Sequence, residues 1–196
     1  QNSSNPGFVE IGRRLGKKRI YNYVKKFGLT QKTGVDLPGE SCGIMFDYKN
    51  FHELEQATVA FGQGISVTPL QLVSAISACV NGGYLLQPHI LKEVRNNNNE
   101  IIYQAKRKVK RQVIKEETAK KVRDALESVV TDGGGRNAYI DGYRIGGKTG
   151  TAQKAVNGSY VGGGYILSFV GIAPIDDPQI VLYIAMDNPK NCHVFA

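Results

Sequence analysis

The order of this chain predicts an α+β fold, with helices packed on one antiparallel sheet. Three observations carry that reading. Apolar residues recur at helical spacing in four segments, all before residue 132. Three strand-like stretches, 144–153, 165–173 and 180–186, all follow the triplet Gly133-Gly134-Gly135. The last two are joined by the tight turn Asp176-Asp177-Pro178, which makes neighbouring strands antiparallel. Helices first and antiparallel strands last is the α+β order, not the alternating order of a parallel sheet.

The first helix starts at Ser3-Ser4-Asn5-Pro6. Ser4 or Asn5 can cap it, and Pro6 suits its first turn. Phe8, Ile11 and Leu15 then form the apolar stripe, with Glu10, Arg13 and Arg14 outside, and Gly16 ends it. A second helix runs from Lys17 to Lys26 on Ile20, Tyr23, Val24 and Phe27, and Gly28 stops it. Thr30 to Phe46 is a turn-rich connection, and Asn50 to Ala60 is a short helix or strand. Thr68 caps the next helix, Pro69 opens it and Gln71 completes a capping box. Leu72, Val73, Ile76, Cys79 and Val80 give that helix a broad apolar face, so it is expected to be buried. Tyr84 to Gln104 reads as a hairpin about the turn Asn96-Asn97-Asn98-Asn99. The basic run Lys106–Arg111 follows, then a helix from Lys115 to Thr131 with Ala119, Val122, Leu126 and Val129 inward. Between the first two strands, Lys154 to Gly164 is a long connection ending in the flexible triplet Gly162-Gly163-Gly164.

A length of 196 residues supports one sizeable core, so residues 1–196 are read as a single domain. No apolar run reaches the roughly 18–20 residues of a membrane span. The first residues, Gln1 to Pro6, carry neither a basic start nor an apolar signal core. The net charge of +8 gathers in Lys17, Lys18, Arg19, Lys25 and Lys26, and again in Lys106, Arg107, Lys108, Lys110 and Arg111. Such clusters are most simply solvated faces, while their sharper reading is attraction to a polyanion. Aromatic residues are not expected to interleave with them as a stacking platform, so no nucleic-acid partner is expected. Cys42, Cys79 and Cys192 show no paired spacing, and His52, His89 and His193 are isolated; neither a disulfide framework nor a metal site is implied. Phe61-Gly62-Gln63-Gly64-Ile65 completes neither phosphate-loop pattern.

The chemistry concentrates in Gly146-Gly147-Lys148-Thr149-Gly150-Thr151-Ala152-Gln153. Lys148, Thr149 and Thr151 place one cation and two hydroxyls within four residues. Gly150 lets another backbone approach closely. A strand of this kind binds an anionic group while a backbone N–H faces a developing oxyanion.

Lys148-Thr149-Gly150 is the K-T-G box of penicillin-binding proteins and serine β-lactamases. Ser3-Ser4-Asn5 matches the S-x-N motif of that family, in the expected order and helical context. Phe61-Gly62-Gln63-Gly64 through Thr68-Pro69-Leu70-Gln71, and Asp187-Asn188-Pro189-Lys190, also resemble family segments. Nearly the whole chain thus resembles the transpeptidase domain of class B penicillin-binding proteins of the sporulation and division type. The resemblance implies a partial penicillin-binding, β-lactamase-like fold and a serine D,D-transpeptidase that joins peptidoglycan stem peptides ending in D-Ala-D-Ala. It assigns Ser3 a proton relay, Asn5 a grip on the substrate amide, and Lys148 the electrostatics around Ser3 and the substrate carboxylate. It assigns the substrate carboxylate to Thr149, Gly150 and Thr151, and half of the oxyanion hole to the Thr151 N–H. β-Lactams are the implied inhibitors, and the chemistry needs no metal or organic cofactor. The parent is expected on the extracytoplasmic face of the membrane, anchored by an N-terminal helix outside this chain.

One family motif has no match. None of Ser3, Ser4, Ser41, Ser66, Ser74, Ser77, Ser128, Ser159 and Ser168 has a lysine three positions later. S-x-x-K carries the family's nucleophile and lies upstream of S-x-N. The chain is therefore expected to be a C-terminal portion of one transpeptidase domain, cut before the nucleophile and also short at its C-terminus. Alone it is expected to be inactive. The other reading is a non-catalytic β-lactam-sensor or basic interaction module.

Overall fold

The computed structural model describes residues 2–154 and 164–190. Gly162 and Gly163 of the glycine triplet, Cys192 and His193 lie outside the described residues. Helix α1 (Asn5–Leu15) meets α2 (Lys17–Lys26) at Gly16. The Ser4 hydroxyl accepts the Gly7 N–H at 3.3 Å, so Ser4 is the cap and Asn5 is already helical. The expected inward stripe is not inward: Phe8, Ile11 and Leu15 are all exposed. The buried residue of α1 is Gly12, against which α3 (Glu53–Ala60) crosses closely. A Cβ at Gly12 would lie 2.6 Å from the Ala60 Cβ, and Gln56 Nε2 donates to the Gly12 carbonyl at 2.8 Å. Small residues thus set this crossing, where an apolar stripe had been expected.

Helix α2 buries Ile20 and Val24 around the fully enclosed Phe51. Tyr21 meets Phe51 and Tyr48 edge-on, at ring separations of 5.6 and 5.1 Å. Tyrosines do interleave with this basic cluster, contrary to expectation. Lys17 lies over Tyr48, Lys25 over Tyr21 and Lys26 over Tyr23. The rings are thereby engaged by the chain's own cations, each contact contributing about 0.5–1 kcal/mol at an exposed site.

The segment from Asn50 to Ala60 resolves into a 3-10 turn (Tyr48–Asn50) and α3. Strands β1 (Ile44–Met45) and β2 (Ile65–Ser66) pair briefly on either side of it. Helix α4 (Pro69–Val80) begins with the expected box: Thr68 Oγ1 accepts from Gln71 N–H, and Gln71 Oε1 accepts from Thr68 N–H. Its innermost residues are Gln71, Ala75, Ala78 and Val80, while Leu72, Val73, Ile76 and Cys79 are half-buried. Gln71 is tolerated inside because its Nε2 also donates to the Gln31 carbonyl at 2.7 Å. Burial pushes the Cys79 thiol up to about 11, which fits a small packing residue.

The expected hairpin over 84–104 is shorter and differently paired. Strand β3 (Tyr84–Leu86) pairs with β6 (Val109–Gln112), and the hairpin itself is β4 (Glu93–Arg95) with β5 (Ile101–Gln104). Part of the basic run is therefore a strand. Lys110 lies in it and donates to the carbonyls of Lys32 and Thr33. Two carboxylates fasten the connection after α2. Asp36 accepts the N–H groups of Ile90 and Leu91, and Glu40 accepts those of Thr33 and Gly34.

Helix α5 (Glu116–Asp132) leads through a 3-10 turn (Arg136–Ala138) to the main sheet. That sheet has the order β7 (Gly146–Gln153), β8 (Tyr165–Ala173), β9 (Ile180–Asp187), antiparallel throughout and without a register shift. Helices α4 and α5 cover one face, where Val80, Val170, Ile172 and Ile175 form the core with Ile76, Leu126, Val181 and Tyr183. The other face of β9 exposes Ile180, Leu182, Ile184 and Met186.

Candidate active site

Strand β7 is the edge of the main sheet, and its hydrogen-bond parity can be fixed from its two ends. Lys154 N–H donates to the Gly164 carbonyl at 2.8 Å, and Ile175 N–H donates to the Arg144 carbonyl at 2.9 Å. Gly164 and Ile175 flank β8, so residues 144 and 154 both turn toward β8. The register is continuous, and the strand repeat is two residues. Even-numbered residues of β7 therefore bond to β8. Gly147, Thr149, Thr151 and Gln153 turn their N–H and C=O groups to the open edge. The Thr149 carbonyl confirms the parity, since it accepts Lys148 Nζ at 2.8 Å.

Side chains follow the same alternation. Thr149, Thr151 and Gln153 are exposed on the uncovered face, and Lys148, Gly150 and Ala152 are half-buried on the helix side. The Lys148 amine bends to the edge and donates to the Thr149 hydroxyl at 3.2 Å as well as to its carbonyl. Burial holds the Lys148 ammonium below its ordinary pKa, because the charged form loses solvation. The edge thus offers one cation, two hydroxyls and the outward Thr151 N–H together. Such a set is chemically able to bind a carboxylate and to face an oxyanion with a donor already in place.

Three glycines set the position of this strand. A Cβ at Gly146 would lie 2.4 Å from Ile175 Cδ1, and one at Gly147 would lie 2.3 Å from Phe169 Cζ and 2.7 Å from the Val170 carbonyl oxygen. At Gly150 the close neighbour is the Ser168 side chain, with Oγ 2.6 Å from the Cβ position, where another backbone had been expected. The Phe169 ring also reaches the Cβ positions of Gly135 and Gly171, so it sits in a nest of glycines on the open face, on the strand position opposite Thr149. Arg144 holds the entry to β7 by a two-pronged bond to Glu127 at 2.8 and 2.7 Å, with Asp176 at 3.6 Å. Lys154 closes the far end on Asp187 at 2.6 Å.

Ser3 and Asn5 stand at the start of α1, both exposed. Ser3 has a left-handed backbone, with φ at 47°. Because Ser4 does the capping, neither Ser3 nor Asn5 makes a side-chain hydrogen bond among the described residues. The structure joins Lys148 to Thr149 by two hydrogen bonds and puts Thr151 two residues further along the same edge strand. Among the described residues no hydrogen bond joins them to Ser3 or Asn5, for α1 packs on α2 and α3 while β7 packs on β8 and α5. Sequence reasoning missed Phe169, Ser168 and the Arg144–Glu127–Asp176 clasp. Only the density of glycines around β7 hinted that a large side chain must fill their space.

The comparisons with known proteins agree in covering nearly all of the chain. The family description "Penicillin binding protein transpeptidase domain" matches residues 1–194. Stage V sporulation protein D of Bacillus subtilis is 56% identical over 191 residues, which is 97% of this chain and 30% of that protein. A peptidoglycan D,D-transpeptidase FtsI homolog of Mesostigma viride is 37% identical over 206 residues, covering 96% of this chain and 34% of the homolog. Among solved structures, penicillin binding protein 3 of Mycobacterium tuberculosis, complexed with aztreonam, superposes with a TM-score of 0.89 at 36% identity. That match covers 96% of this chain and 44% of the other. The chain spans about a third of the length of these curated relatives.

Proposed function

The chain belongs to the penicillin-binding protein transpeptidase family, and from that membership we propose that it is the substrate-binding portion of a peptidoglycan D,D-transpeptidase. The observation that carries this reading is the open edge of β7, where the Lys148 amine meets Thr149 and the exposed Thr151 follows two residues along the same strand with its N–H outward. In the parent protein a serine from outside this chain attacks the amide carbonyl of a stem peptide ending in D-Ala-D-Ala. The C–N bond breaks, the serine proton goes to the leaving D-Ala amine, and an acyl-enzyme forms. The amine of a second stem peptide then attacks the ester, forms the cross-link and returns the proton to the serine oxygen.

In this scheme Thr149 and Thr151, with Gly150 between them, hold the substrate carboxylate on the open side of the strand. The Thr151 N–H stabilises the oxyanion. Lys148, with its lowered pKa, sets the field that the substrate carboxylate and Ser3 feel. Ser3 relays the proton to the leaving amine, and Asn5 holds the substrate amide. Ser3 and Asn5 suit these roles because the cap has left their side chains uncommitted. A β-lactam presents a strained amide and a carboxylate to the same groups, so it acylates the same serine. No helix among the described residues is long and apolar enough to cross a membrane. The parent is placed at the extracytoplasmic membrane face by a segment outside this chain.

Fluorescent penicillin tests the reading on the full-length parent. Covalent labelling is expected, and labelling should fall at least tenfold in Thr151→Pro, which removes the edge N–H. A parent that never labels would point instead to a non-catalytic module. For the 196-residue chain alone, intact-mass measurement should show no penicillin adduct. An adduct would identify a nucleophile within the chain.

A further inference from the structure

We propose that the β4–β5 hairpin is a docking arm for an acidic, extended segment of a partner protein, which adds along β5. This is independent of the transpeptidase reading, and the arm lies outside the site described above. The hairpin is built rigidly at both ends. At its base the Asp36 carboxylate accepts the N–H groups of Ile90 and Leu91 at 2.7 and 2.9 Å. At its tip the Asn96 Oδ1 accepts the N–H groups of Asn98 and Glu100 at 3.0 Å each. Arg95 closes the turn by donating to Glu93 at 2.7 Å and to the Asn99 carbonyl at 3.1 Å.

Yet this ordered arm covers nothing. Every residue of β5 is exposed, with Ile102 at 65%, Tyr103 at 48% and Ile101 at 46%. A two-stranded ribbon that shows such residues to water is marginal by itself. Its two edges also differ. Strand β4 carries Glu93 and Arg95, the usual guard against strand addition, whereas β5 reads Ile-Ile-Tyr-Gln, with neither charge nor proline. An uncharged edge on a preformed hairpin, interrupted only by the bulge at Ile102, is open to β-strand addition.

Charge selects the occupant. Lys92, Lys106, Arg107 and Lys108 flank the arm, and among the described residues none of them pairs with a carboxylate. The added strand must therefore bring negative charge beside its apolar residues. A lipid surface fits less well. Tyr103 stands opposite Val94 and Ile101 opposite Arg95, and Ile102 is the extra residue of a bulge between them, so the apolar side chains do not share one face. The tip is four asparagines, which bars end-on insertion.

The test places a photo-reactive benzoylphenylalanine at position 102 of the full-length parent, in the cells that make it, and maps the adduct by mass spectrometry. The expected adduct lies on a segment of another protein with net negative charge. Reversing Lys106, Arg107 and Lys108 to Glu should lower its yield about tenfold. Circular dichroism checks that this variant is folded, and if it is not, Lys106→Glu alone should lower the yield in the same direction. An adduct on lipid, on the same chain, on a second copy or on a basic or neutral segment overturns the proposal. So does the absence of any adduct, or a yield indifferent to the reversals.

Discussion

Gly147 is the residue on which the open edge depends most. A single methyl group there would have to displace either the Phe169 ring or the Val170 carbonyl, at 2.3 and 2.7 Å. The carbonyl belongs to the central strand and cannot move, so the ring or β7 itself must. Gly147→Ala in the parent is expected to cost about 1–3 kcal/mol. Thermal melting should show that cost, and fluorescent-penicillin labelling should fall with it because the edge amides shift. Phe169→Leu in the same molecule should recover part of both, since the two changes share one space. Gly150→Ala should be milder in melting, because its close neighbour is the end of the Ser168 side chain and can rotate away. No recovery of either signal, even in part, in the double variant would mean that Phe169 is not what fixes the strand.

The elements were legible in the sequence wherever their cause was local. Thr68, Pro69 and Gln71 announce α4 because a capping box lies within four residues. The alternation around Lys148-Thr149-Gly150-Thr151 announces β7, and the last hairpin follows from its turn. The pairing of β3 with β6 was not legible, because it joins segments some 25 residues apart across another hairpin. The exposed stripe of α1 was misread for a related reason: helical spacing shows that a face exists, not what lies against it. Of the site, the residues of β7 could be read, but not the ring beside them on β8. The Asp36 and Glu40 clamps are also long-range, and they give this layer a pH dependence. The Ile90 and Leu91 N–H groups hold Asp36 below the usual carboxylate range. For Glu40, burial pushes upward but bonds from the Thr33 hydroxyl and the Thr33 and Gly34 N–H groups outweigh it. Both folded pKa values lie below the unfolded ones, so their stabilisation is present above the ordinary carboxylate range and is lost as pH falls through the folded values. Hydrogen-exchange protection at Ile90, Leu91, Thr33 and Gly34 should therefore decline as pH falls below about 4, while α4 stays protected. In Asp36→Asn the decline at Ile90 and Leu91 should disappear.

At the scale of the molecule, one face of the main sheet is finished and the other is not. Helices α4 and α5 close the first over Val170 and Ile172, whereas Ile180, Leu182, Ile184 and Met186 stand at half exposure or more on the second. The α1 stripe of Phe8, Ile11 and Leu15 adds a further apolar patch. Patches of this kind drive association even against a net charge of +8. The chain alone should therefore self-associate at micromolar concentration in sedimentation velocity, and bind an apolar dye. Leu182→Lys with Ile184→Lys should suppress both. A monomer that leaves the dye dark would refute this account of the surface. The outward amides of β7 carry a different lesson, about descent. They are main-chain atoms, so ordinary substitution leaves them in place, and only proline deletes one. A lineage under pressure from a compound anchored on the Thr151 N–H has no cheap way to discard that donor. Escape must come through residues that tilt the strand, such as Phe169, Leu126 and Ile175, none of which the compound itself needs to touch.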